Sequence, residues 1–176
     1  MTVAAFLDWT DRHADETRRE LEAGRVIAMV PELLSHVRAK YRARQLLADA
    51  IRAAGLPCEA VGDGIGVAPD EDTLYQPDAT VVCGERADGS SRVLEAPIII
   101  VEVTSPSSSR LDSGGKLAAY ARMPSVQHYL IINVQRRIVV HHRRAGGARF
   151  EATIVAAGAL ALDPPGLVID AAALFD

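Results

Sequence analysis

The run at residues 97–103, PIIIVEV, is apolar almost throughout instead of alternating, which predicts an interior strand covered on both faces. Earlier, residues 32–54 place Leu33, Val37, Tyr41, Leu46, Leu47 and Ile51 near helical spacing. Arginines and Lys40 take other positions there, and Gly55 and Pro57 stop the helix. Short β-branched runs at 58–61, 65–67 and 79–83 read as strands, and 128–134 with 137–142 read as a hairpin across Gln135 and Arg136. Residues 150–155 add an edge strand. Helical stretches are expected at 3–9 behind Thr2, at 117–123, and at 171–175. The segment RELEAGRVIAM forms a hairpin turning at Ala23 and Gly24, with helix as the competing reading. The sum is α/β: one mixed β-sheet flanked by helices, in a single domain over 1–176.

Composition changes this picture little. The 176 residues are 49% hydrophobic and 24% charged, ordinary for a globular chain of one-domain size. No apolar run is long enough to span a bilayer, and the N-terminus lacks the basic stretch of an export signal. A net charge of −4 does not advertise nucleic-acid binding, yet a carboxylate-built metal site would itself make a protein acidic. Cys58 and Cys83 stand 25 apart with no CxxC, which reads as two reduced thiols in a cytoplasmic protein.

The chemistry begins with Glu102, a carboxylate inside the driest strand. Burying it unpaired costs several kcal/mol by general estimate, so it demands a cation or a dense hydrogen-bond shell. Asp78 follows Pro77 directly before another strand, and Lys116 opens the helix after Glu102, with Asp112 and Tyr120 four residues to either side. Such residues suit a hard divalent cation that binds a phosphate, with a lysine to orient water. The competing readings are ordinary: a turn aspartate, a structural ion pair and a surface lysine. Ser105, Ser107, Ser108 and Ser109 lack the Gly-x-Ser-x-Gly elbow of a serine hydrolase and read as a polar connector. His141 to Arg144 with Arg149 make a small basic patch, either solvated or touching phosphate.

The stretches QPDATVV, APIIIVEVTSPSSSRLDSGGKLAAYARMPSVQHYLII and RRIVVHHR resemble the Uma group of restriction-endonuclease-like proteins, a branch of the PD-(D/E)XK nuclease superfamily. The opening hairpin, followed by a proline and His36 early in the long helix, resembles the same group, as does the closing PPGLVIDAAALF. The resemblance implies a restriction-endonuclease-like core and metal-dependent hydrolysis of DNA with Mg²⁺ or Mn²⁺. It makes Asp78, Glu102 and Lys116 catalytic, and Asp78, Glu102 and Glu20 the metal ligands. Thr104 stands where the superfamily pattern has lysine, and Lys116 would replace it. His36, Asp112 and Thr104 are accessory candidates, and Arg143 and Arg144 candidate phosphate contacts. By analogy two copies form a homodimer. The rival reading is a catalytically inactive module that kept the fold to bind or regulate.

Overall fold

The computed structural model describes residues 1–13, 17–86, 88–104 and 112–175, with positions 112 and 113 described by their main chain alone. Ser105, Ser107, Ser108, Ser109 and the Asp112 side chain therefore lie outside the described residues.

The centre is β8 (Ile99–Thr104), flanked by β6 (Ala79–Cys83), antiparallel, and β9 (His128–Asn133), parallel. β3 (Cys58–Gly62), β10 (Ile138–Arg144) and β11 (Phe150–Val155) extend this to six strands in the order β11-β10-β9-β8-β6-β3. Ile99, Val101 and Val103 pack toward α2 (Leu34–Ala54), while Ile100 packs with Tyr120 on α3 (Asp112–Ala121). Burial on both faces is what the unbroken apolar run requires. It also fixes Glu102, two residues after Ile100, on the α3 face.

The single sheet of the sequence reading becomes three. β1 (Arg19–Glu22) and β2 (Arg25–Ala28) form the expected hairpin, but it joins β5 (Thr73–Tyr75), β4 (Gly66–Asp70) and β7 (Val93–Leu94) in a separate five-stranded sheet. Leu21 and Leu74 there close over Phe6 of α1 (Val3–Arg12), whose first turn is capped by the Thr2 hydroxyl. β12 (Ala159–Leu162) and β13 (Leu167–Asp170) form a third ribbon whose Leu160, Leu162, Leu167 and Ile169 enter the core with Leu47 and Ile51. A short 3-10 turn, Ala172–Phe175, closes the described chain.

Two further expectations are corrected. The buried face of α2 is Ala39, Lys40, Ala43, Leu47 and Ile51, whereas Leu33, Val37 and Tyr41 are exposed. Small alanines let the helix lie close on β8, and closeness decided the face over side-chain size. Second, Cys58 and Cys83 stand opposite each other across β3 and β6 and are joined in a disulfide. The antiparallel register brings them together, and a separation of 25 residues concealed it. No helix among the described residues is long and apolar enough to cross a membrane.

Candidate active site

The ladder between β6 and β8 pairs Ala79 with Val101, so its next step sets Asp78 opposite Glu102 at the strand ends. The Asp78 amide donates to Val101 O at 3.0 Å, and its Oδ2 accepts from the Val103 amide at 2.6 Å. Pro77 leaves the carboxylate at the mouth of the sheet, where α2 meets it. Lys40 Nζ lies 2.7 Å from Oδ1 and His36 Nε2 lies 3.6 Å from Oδ2. Burial alone pushes Asp78 up, but His36, Lys40 and the Val103 amide together hold its carboxyl below the usual range.

Glu102 meets the other helix. Its Oε1 accepts from Lys116 Nζ and from the Tyr120 hydroxyl, each at 3.1 Å. Lys116 and Tyr120 lie one helical turn apart, so α3 presents both to the same oxygen. Lys116 also donates to Glu20 Oε1 at 3.1 Å, and that oxygen accepts the Gln76 amide at 2.8 Å. The ring of Tyr75 lies under the ammonium, 5.0 Å from its centroid. Burial pushes Glu102 up to about 7, with Lys116 opposing and Asp78 and Glu20 reinforcing. Burial pulls the Lys116 ammonium down, but Glu102 and Glu20 more than reverse it, so the amine stays charged.

Glu22, two residues beyond Glu20 and on the same strand face, accepts from the Tyr75 hydroxyl at 3.2 Å. A Cβ on Gly115 would lie 3.3 Å from Glu22 Oε1. The glycine before Lys116 is thus a point of close approach, and the helix starts ahead of it, at Asp112, instead of at the lysine.

Asp78, Glu102, Lys116, Glu20 and His36 come together from five elements. Lys40 joins them without having been singled out. Its signal was phase: positions 36, 40, 43, 47 and 51 share a helix face, and a lysine on an apolar face needs an anion. Thr104 sits at the end of β8 with its hydroxyl 3.4 Å from Ile132 O, and serves the strand. Arg143 and Arg144 do not join the cluster. Arg143 pairs with His128, three residues along β9 from Ile131, the partner of Glu102. Arg144 spends its guanidinium on main-chain oxygens, including Val126 at 2.6 Å and Met123 at 2.7 Å, and stacks on Phe150. Of the basic patch read from the sequence, Arg144 is therefore a clamp on the end of α3 and the loop after it, while Arg143 is exposed.

The donor set suits a hard divalent cation. Among the described residues, three buried carboxyl groups, Glu20, Asp78 and Glu102, face two buried ammoniums, Lys40 and Lys116, so the oxygen donors outnumber the lysines that hold them. Among the described residues, the three-ligand group whose donor atoms all lie within 4.8 Å of one another is Glu32, His36 and Asp78. Glu102 and Glu20 fall outside that group and instead share the Lys116 ammonium.

A family called Uma2, described as "Putative restriction endonuclease", matches the chain over residues 3–172. The chain belongs to the Uma2 family. A curated Synechocystis relative, "Uncharacterized protein slr1290", is 28% identical over 144 residues, covering 81% of this chain and 74% of its own. A crystal structure from Anabaena variabilis, described as "a putative nuclease belonging to DUF820", superposes with a TM-score of 0.78 at 16% identity. It covers 99% of this Uma2 chain and 97% of its own, so the α/β architecture is shared from end to end.

Proposed function

We propose that this Uma2 protein is a divalent-metal-dependent endonuclease that hydrolyses phosphodiester bonds in DNA. The observation that carries the reading is Lys116, a buried ammonium held by Glu102 and Glu20, with Asp78 opposite Glu102 across the β6–β8 ladder. Asp78 and Glu102, with Glu20 from the side, would hold Mg²⁺ or Mn²⁺. The bound ion supplies a more acidic water and neutralises charge growing on the phosphate.

The chain's own residues do the remaining work. Lys116 remains charged at neutral pH, so it acts as a donor, orienting the attacking water or contacting a phosphate oxygen. Tyr120 fixes the Glu102 rotamer from below. Lys40 and His36 are positioning residues that keep Asp78 ionised and turned toward the mouth. The lysine displaced from position 104 to α3 still reaches the carboxylate it must serve.

Plasmid DNA incubated with the protein and Mg²⁺ or Mn²⁺ should be nicked or linearised, EDTA should stop this, and Glu102→Gln should abolish it. Binding of metal without cleavage by the wild type would favour the inactive binding module. The expected cytoplasmic setting now rests on the DNA substrate alone, because the free-thiol reason for it fails.

A further inference from the structure

We infer that the outer face of the first turns of α2, with the segment from Ile27 that leads into it, is the two-fold interface of a homodimer. Ile27, Val30, Leu33, Leu34, Val37 and Tyr41 are exposed, Val30 by 81% and Tyr41 by 65%. Among the described residues, the other exposed large apolar side chains are Met1, Ile154 and Val168, which come from separate segments. Apolar exposure is thus concentrated in one short piece of chain. Farther along the same helix the exposed positions turn polar, with Arg44, Gln45, Asp49 and Arg52.

The size of the patch argues for a lasting partner. Six side chains at these exposures leave on the order of 700 Å² open, above the largest apolar patch usual on a monomer. Two such patches closing on each other would bury about 1,400 Å², within the range of specific interfaces.

The spacing argues for a helix as the partner surface. Leu34, Val37 and Tyr41 step by three and then four, the seam of two helices packed side by side. Antiparallel pairing about Val37 sets Leu33 and Leu34 of one copy against Tyr41 of the other. Leu33, Leu34, Val37 and Tyr41 then each meet a member of the same four, as an isologous contact requires. No second patch of this kind exists among the described residues for a head-to-tail contact to use. The adjoining face of the same helix carries His36 and Lys40, so the pairing would fix two Asp78 clusters at a set distance across the axis.

Sedimentation velocity on the full chain tests this independently of any nuclease activity. The wild type should run as a dimer at tens of micromolar, and Val37→Glu should raise the dimer dissociation constant by at least about 100-fold with its circular dichroism unchanged. Tyr41→Glu serves the same purpose should Val37→Glu unfold. Val37→Cys should form an intersubunit disulfide under mild oxidation. A monomeric wild type, or a dimer indifferent to both glutamates, overturns the proposal, whatever the plasmid assay returns.

Discussion

Lys116 and Glu102 form a buried ion pair 3.1 Å apart, and the same ammonium reaches Glu20 at the same distance. One cation therefore serves two carboxylates from two different sheets. Removing it should cost more than a surface pair would. Lys116→Ala should lose about 3 kcal/mol or more in chemical denaturation, because two buried carboxylates remain uncompensated. Adding Glu102→Gln should recover part of that loss. Strict additivity of the two substitutions would mean that the contact carries no coupling.

The two glycines ahead of Lys116 should respond in opposite ways. Both lie in the first turn of α3, but a Cβ at Gly114 meets nothing within 4 Å, while one at Gly115 meets Glu22. Gly114→Ala should stabilise by up to about 1 kcal/mol through helix propensity. Gly115→Ala should gain less or lose, because the Glu22 carboxylate must give way to the added methyl. Thermal melts of the two single variants decide it, and equal gains would exclude a packing role for Gly115.

The buried pair His128 and His141 should make the protein acid-sensitive. Pro164 O can only accept, so His128 Nε2 carries its proton, and bare Nδ1 accepts from His141 Nε2 at 2.9 Å. Burial pulls His141 down to about 4, with His128, Arg143 and His142 adding repulsion. Burial also lowers His128, although Pro164 and Asp163 oppose it. In the unfolded chain a histidine titrates near 6.5, so the stability is whole above that pH and drains as pH falls toward 4. The loss by pH 4 is on the order of 3 kcal/mol for His141 alone. Denaturation at pH 7, 6 and 5 should show a shallower decline in His141→Phe, and equal slopes would rule the pair out as a cause.

The parts of this architecture that announce themselves are those where a residue violates its surroundings. Glu102 breaks an apolar run, and that anomaly led to Lys116, which the folded chain does place on it. Lys40 breaks a stripe too, but large residues at 33, 37 and 41 suggested the wrong face. Alanines 39 and 43 carry little hydrophobic signal while permitting the closest approach. β5 and β7 are three and two residues long, too short for any periodicity. β12 and β13 alternate cleanly, yet four residues apiece leave the pattern weak. Whether Asp78, Glu102 and Lys116 turn over a phosphodiester is a matter of chemistry that no pattern of polarity encodes.

The disulfide has a consequence for the rim of the central sheet. β3 is its outermost strand on one side, and an outermost strand offers unpaired main-chain groups to any extended segment that drifts past. Cys58 and Cys83 stitch β3 to β6 at one end, so this border cannot fray there and expose a second, inner template. At the far border β11 has no such stitch and relies instead on Glu151, the exposed second residue of a mostly solvated strand. A protein handled in strong reductant would keep the second safeguard against edge-to-edge aggregation and lose the first.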